Sequence, residues 1–460
     1  MPLARACSLV ALAQGLLFGS SAGATGMQGH IYMAECGAEQ LAAGPLRTAV
    51  FDEELPWLTN GAFFPDSGYT ADDHDQGEIP HWEGYVDAYV AWLRAHFDEP
   101  LSAPEAREHV AFLFGIAAHG ITDSTFDSLL WPASAERDPG NVESLDTAMD
   151  VFLVHDLARH LVPDIVLHED VLSQLFSDVG HPISEDAIVD AMAVARVGIA
   201  AVTNFLAAHP EERLAEHPWA HTAYLDPRTP GGYAFGARVV RRYYEELEKR
   251  LAGSADVAGL VIGTYPDATT PLAALDRNDA HARLVIFFGH GVDRASFSAA
   301  SVVVRDELGN SVPGAVNGFR GDEWLNVVTF DPEGDWAADA SYELVVKKTL
   351  VTQGGHSPSA DIVVPFTAPC AGCEPRLGKA GVPPSSCPLT DTRHPFPADE
   401  PTGVGGGDAE PGAAQDEPSG CTLGTAARHE GALAAMLVGA IALSMRRDRD
   451  ARRARGRSAS

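Results

Sequence analysis

Between residues 111 and 127 an apolar run, Ala111-Phe-Leu-Phe-Gly115-Ile-Ala-Ala-His119-Gly-Ile-Thr-Asp123-Ser-Thr-Phe-Asp127, carries His119, Asp123 and Asp127 at steps of four. On a helix that spacing stacks the three side chains along one face. Such a row can hold one or two divalent ions, and an ion would offset the cost of drawing ionisable groups into an apolar core. The same pattern also fits a capped helix end whose polar groups are satisfied.

The elements that must position this row read as helices from residue 30 to about 253. Ser102-Ala-Pro104-Glu105 has the form of a capping box with proline just inside the helix start, so it should open the helix that reaches His119. Asp146 to Leu161, Glu185 to Ala208 and Phe235 to Leu251 repeat apolar residues every three or four positions. Residues 25–253 are therefore expected to form an all-α domain.

After Gly253 the apolar period falls to two. Leu260 to Ile262, Arg283 to Phe288, Ser301 to Arg305, Leu325 to Phe330, Tyr342 to Lys347 and Asp361 to Thr367 read as strands separated by turns such as Leu308-Gly-Asn310. Residues 255–368 are expected to be a small β-sandwich. Residues 369–429, rich in Pro, Gly and acidic side chains, cannot bury enough surface to order themselves and read as a tether. The segment 430–447 reads as a hydrophobic anchor built on uncharged residues 431–445, and 448–460 as a basic tail. Its arginines predict a cytoplasmic end, although the apolar stretch is short for a full span.

The chain has 460 residues and a formal charge of -32, with 45% hydrophobic and 21% charged residues. Its length points to two or more domains, and its acidity argues against a nucleic-acid ligand. Arg5, the apolar run Leu9 to Phe18 and Ala22-Gly-Ala24 make residues 1–24 a predicted signal peptide, leaving Thr25 first and His30 sixth after cleavage. Cys7 lies before the apolar run and is poorly placed for lipid attachment. Export would put Cys36, Cys370, Cys373, Cys387 and Cys421 in an oxidising compartment. Cys370-Ala-Gly-Cys373 opens either a zinc site or, as preferred here, a local disulfide network involving Cys387, with Cys421 left over.

Four motifs in order, Gly29-His30-Ile-Tyr-Met-Ala-Glu35, Phe63-Phe-Pro-Asp66-Ser-Gly-Tyr69, Glu78-Ile-Pro-His81-Trp82 and Phe112 to Asp123, resemble the zinc-dependent phospholipase C family. That family includes the catalytic domain of glycosylphosphatidylinositol-specific phospholipase D and is akin in fold to S1/P1-type nucleases. The resemblance covers roughly residues 25 to 250. It implies up to three zinc ions: one on Asp66, His81, His119 and Asp123, and another on His30, the free α-amino group of Thr25 and a bridging Asp123. Thr25 departs from the bulky tryptophan usual at that first position.

At the remaining site, Asp127 and Val142 stand where the family has histidines, while Asp146 and Asp150 fit its aspartates. A carboxylate site of Asp127, Asp146 and Glu143 or Asp150 would prefer Ca²⁺ or Mn²⁺, or be empty. His217 with His221, His155 with His160, and His74 among Asp72, Asp73 and Asp75 are alternative donors whose more ordinary reading is a satisfied or surface histidine. Trp82 and Tyr85 read as core.

The segment Phe288 to Phe297, the Asp331-Pro332 turn and Phe366-Thr367 resemble bacterial Ig-like domains, which implies a spacer or adhesive module. Cys421, the apolar stretch and the basic end resemble Myxo-type C-terminal sorting tails, which implies sorting machinery as a partner. Together these readings predict a surface-tethered zinc phosphodiesterase, most plausibly a phospholipase C acting on phospholipid head groups with Asp66 orienting or deprotonating the attacking water. The alternative is a catalytically impaired, metal-binding relative with a binding or structural role.

Overall fold

The computed structural model describes residues 26–70, 73–157, 163–207, 209–254, 259–319 and 325–372, without the side chains of 199–207 and 325. Thr25, Asp72, His160, the predicted signal peptide, and the predicted tether from Cys373, anchor and tail lie outside the described residues. The N-terminal part is helical, its main helices being α1 Met27–Glu39, α2 Leu55–Phe63, α3 Glu83–His96, α4 Arg107–Thr125, α5 Leu145–Leu157, α6 Glu169–Asp178, α7 Glu185–Ala207, α8 Pro218–Ala223 and α9 Tyr233–Leu251, with further short helical segments between them.

Helix α4 is the hub, buried continuously from His109 to Thr125. A helix apolar on every side needs neighbours on every side, and α1, α2, α3 and α9 supply them. The α2–α4 crossing is unusually close. A Cβ on Gly61 would stand 2.1 Å from the Phe112 carbonyl oxygen, and one on Gly115 would stand 2.2 Å from that of Leu58. Only glycines permit this approach, and it brings the backbone of α2 against the face that carries His119.

Both ends of α4 differ from the sequence expectation. The entry is a 3₁₀ turn, Pro104–Ala106, and neither Ala103 before it nor Ala106 at the start of α4 supplies a side-chain cap. At the exit the chain widens into a π-helical turn, Phe126–Leu130. Asp127 falls in this turn, and among the described residues it joins no donor group with His119 and Asp123.

Antiparallel sheets follow the helices: one of four strands in the order β1 Val261–Tyr265, β2 Leu284–Val292, β5 Leu325–Pro332, β4 Gly314–Gly318, and one of three, β3 Val302–Asp306, β6 Ser341–Val346, β7 Ile362–Thr367. Strand β4 was not expected, because its glycine ends disfavour extended pairing in isolation. It forms by pairing Val316 with Phe330 on β5. Buried Trp336 lies against Phe330 of one sheet and against Tyr342 and Phe366 of the other, and its indole N–H donates to the Ala282 carbonyl at 2.7 Å.

The sheets are not strung behind the helices. Helix α9 packs against α1 and α4 and also against β1 and β2, so one apolar core runs through both halves. Buried Arg250 of α9 pairs with Glu83 at 3.1 Å, bonds the Gly289 carbonyl at 3.0 Å, and also meets Asp87. Cys36 and Cys370 are each in a disulfide, which for Cys370 removes the thiolate that a Cys370-x-x-Cys373 zinc site would need. Among the described residues no helix is long and apolar enough to cross a membrane.

Candidate metal centre

Five side chains from four places in the chain converge where α1, α2 and α4 meet: His30 of α1, Asp66 just after α2, His81 on a 3₁₀ turn before α3, and His119 and Asp123 of α4. His30 Nε2 is 3.1 Å from Asp123 Oδ1, and His81 Nε2 is 3.2 Å from Asp123 Oδ2 and 3.4 Å from Asp66 Oδ1. His119 Nε2 lies 3.6 Å from Asp66 Oδ1 and 3.8 Å from Asp123 Oδ2. A tetrahedron with metal–ligand bonds of 2.0–2.1 Å has edges of roughly 3.3 Å, so these separations are compatible with a shared ion. Gly120 is needed for this assembly, since a Cβ there would meet the His81 carbonyl oxygen at 2.2 Å.

The outer sides of the rings decide how the donors point. His81 Nδ1 is 2.8 Å from the Gly77 carbonyl and His119 Nδ1 is 2.7 Å from the Ala62 carbonyl. A carbonyl only accepts, so both Nδ1 atoms carry the proton. His30 Nδ1 is 2.8 Å from Thr122 Oγ1, whose own hydrogen goes to the His119 carbonyl at 3.0 Å, so His30 also donates outward. In their neutral forms, rings held this way would aim three Nε2 lone pairs inward. His81 Nε2 and His119 Nε2 then face each other at 3.0 Å, and both face carboxylates. Lone pair against lone pair is repulsive unless a proton or a metal ion sits between them, and such outer-side bonds are the usual second shell of metal-bound histidine.

The electrostatics agree. Burial works against the ionised forms of Asp66 and Asp123, but His119 and His81 around Asp66, and His30 above all around Asp123, hold both carboxyls well below the usual range. Burial likewise opposes charge on His81, yet its bonds to Asp123 and Asp66 push it up to about 10, whereas burial and neighbouring His30 pull His119 down. The carboxylates thus hold a positive charge among the imidazoles, a proton on His81 in the absence of an ion, and a bound metal would take that proton's place. His30 and His119 stack with ring centroids 3.6 Å apart, which leaves little freedom to turn away.

No protein-family profile matches the chain. The phosphatidylinositol-glycan-specific phospholipase D of Bos taurus is 35% identical over 74 residues, a stretch that is 15% of this chain and 9% of that relative. Among solved structures, the S-layer protein SbsC superposes with a TM-score of 0.19 and 8% identity, covering 79% of this chain and 46% of the other. The N-terminal part of the same bacterial S-layer protein gives 0.19 and 11%, covering 79% of each chain. Overlays that poor carry no argument about fold.

The carboxylate side of the expected site is built differently. Asp127, Asp146 and Asp150 join none of the groups of three or more His, Cys, Asp or Glu donors close enough to share an ion among the described residues. Asp150 Oδ1 accepts from the backbone N–H of Gln28 at 3.0 Å and of Gly29 at 3.2 Å, and so caps α1 from α5. Asp146 Oδ1 accepts from its neighbour's backbone, Thr147 N, at 2.6 Å. Burial pushes Asp146 up to about 6 and Asp150 well above its usual value, with the nearby carboxylates adding to both. Asp127 sits in the π turn, Val142 packs against the core, and Glu143 is exposed.

Of the alternative donors, His217 Nε2 meets Ser144 Oγ at 3.0 Å, and His74 opens a short helix capped by Asp73. His155 and His221 both contact Asp156. Tyr85 is core, its hydroxyl near the Leu172 carbonyl, while Trp82 is half-buried beside His81. Sequence reasoning missed Thr122 and the carbonyls of Ala62 and Gly77. A threonine three residues after a candidate ligand on the same helix was the one readable signal.

Proposed function

We propose that the chain is a metal-dependent phosphodiester hydrolase of the zinc phospholipase C type, acting on phospholipid head groups. The observation that carries it is the set of inward Nε2 atoms fixed by outward Nδ1–H bonds, His81 and His119 at 3.0 Å among them, around two carboxylates. The partial similarity to a protein named as a phospholipase D supports the reaction class. An imidazole-rich, carboxylate-containing set suits zinc over harder cations. His30, Asp66, His81, His119 and Asp123 would hold the ions, with Asp123 shared between them, and the α-amino group of Thr25 would add a ligand after cleavage at Ala24. When bound, such ions supply Lewis-acid polarisation of a phosphoryl oxygen and acidify a water.

The chain's own residues supply position and proton handling. Asp66, at 14% side-chain exposure, is the most open of the five, whereas His30 and His119 are fully buried. Its carboxylate edge is where substrate and water meet the set, and it would take the proton of the attacking water. Export through residues 1–24 and surface attachment through the apolar segment 431–445 belong to the same proposal, and N-terminal sequencing of the exported protein checks the cleavage.

A second reading, a relative that binds metal without turnover, is favoured by Asp150, which spends one oxygen as a helix cap. Metal analysis of protein purified without chelator, with hydrolysis of phosphatidylcholine and a generic phosphodiester by wild type and His119→Ala, separates the two. Hydrolysis by wild type alone supports the enzyme; bound zinc without hydrolysis on a broad panel supports the relative; absence of metal overturns both.

A further inference from the structure

We infer that His155, Asp156 and His221 form a second, exchangeable site for a borderline divalent cation such as Zn²⁺, apart from the centre on α4. His155 and Asp156 occupy the last turn of α5, and His221 lies on α8. His155 Nδ1 is 2.7 Å from Asp156 Oδ1, and His221 Nε2 is 3.1 Å from Oδ1 and 3.0 Å from Oδ2. One donor atom from each residue falls within 4.8 Å of the others, which fits a single ion. Two imidazoles and one carboxylate are the donors that zinc and its neighbours in the first transition row prefer.

The surroundings favour a loaded site over a chance pairing. The Tyr224 hydroxyl donates to Asp156 Oδ2 at 2.7 Å, which orients the carboxylate, and the Phe152 ring lies 4.9 Å from that of His221. Burial works against ionisation of Asp156, but bonds from His221, His155 and Tyr224 hold it below its usual range, so the ligand is an anion. Side-chain exposures of 42% for His155, 20% for His221 and 13% for Asp156 leave an opening through which an ion and its waters enter.

Two features set its character. Among the described residues neither ring has its other nitrogen fixed by a backbone carbonyl, unlike His81 and His119. Binding must therefore order the rings, and affinity is lower than at the buried centre. Asp156 also lies ten residues beyond Asp146 on one helix, a rise of about 15 Å. An ion here would tie the end of α5 to α8, and so brace the helix that bears Asp146 and Asp150, without touching the reaction site.

The test uses the full chain carrying its tightly held ions and freed of loose ones. Zn²⁺ alone is titrated calorimetrically, and Co²⁺ is followed by its ligand-field absorption. Wild type should take up one further ion, in the micromolar range. His155→Ala, whose exposed side chain is not needed for folding, and Asp156→Asn, which keeps the shape and a bond to Tyr224, should each weaken that ion on the order of ten-fold or more. The tightly held ions should stay. Binding of that ion by both variants as tightly as by wild type, or no ion beyond the tight class in wild type, overturns the inference. Because the tight ions are counted in the same samples, failure here is distinguishable from failure of the buried centre.

Discussion

The two sides of the α1–α4–α5 junction use the same kinds of residue for opposite purposes. On the α4 side each histidine is fixed from behind, through Gly77, Ala62 or Thr122, so that its free nitrogen points at the carboxylates. On the α5 side the carboxylates turn to backbone N–H groups: Asp150 to the start of α1, Asp146 to Thr147. A donor is preset for tight binding when its other side is occupied and its working side faces the remaining donors. A donor that already receives backbone hydrogens is structural, even when it stands where a ligand is expected.

The largest break in this contrast should come from His119→Ala. Removing it takes one lone pair from the centre and releases the Ala62 carbonyl, so the tight ions and any hydrolysis should be lost while the helical circular dichroism remains. Metal content and activity measured on the same folded sample check it; full retention of metal would show that the five residues are not the site.

How much of this was legible beforehand varied with the length scale of the cause. His30, Asp66, His81, His119 and Asp123 were readable because short motifs fixed their type and order. The helical stretch and six of the seven strands found among the described residues followed from periodicity, whereas β4 depended on its partner β5. The π turn that holds Asp127, Phe126–Leu130, leaves no mark in a four-residue count. The cap from Asp150 joins residues 122 positions apart, and so does not show in local sequence. The docking of α9 onto β1 and β2 was likewise hidden behind an apparent boundary at Gly253.

A finer test of the ligand side is Thr122→Val, which keeps volume while removing the oxygen that receives His30 Nδ1–H. Loss of such an outer bond should lower affinity for the ion shared with His30 by about 10–100-fold. Competition with a chelator measures it. An unchanged constant would mean that stacking on His119 alone orients the ring.

Buried imidazoles that lack converging carboxylates provide a contrast of another kind. Burial, with Arg137 adding to it, lowers His281 to about 4. The unfolded chain takes up that proton near pH 6.5 and the native one only near 4, so native stability should be whole above 6.5 and fall as the pH drops between those values. Denaturant unfolding in chelator at pH 7 and pH 5 should show a smaller loss for His281→Phe than for wild type. Equal losses would assign the acid sensitivity elsewhere.

The smallest effect on metal is expected on the α5 side, where the contrast is most exposed to refutation. Asp150→Ala removes an acceptor from the first N–H groups of α1, and the loss of such a cap should cost about 1–2 kcal/mol of stability. The N-terminal end of α1 also carries the positive end of the helix dipole, which a carboxylate would offset only if ionised. Burial raises Asp150 well above its usual value, so part of its role is that of a neutral acceptor, and Asp150→Asn should recover most of the stability. In both variants the tightly bound ions should stay, because Asp150 Oδ1 faces Gln28 and Gly29 and not the imidazoles. If Asp150→Ala instead releases an ion while Asp150→Asn folds normally and releases it too, the carboxylate is a ligand, and the division between the two sides of the junction fails.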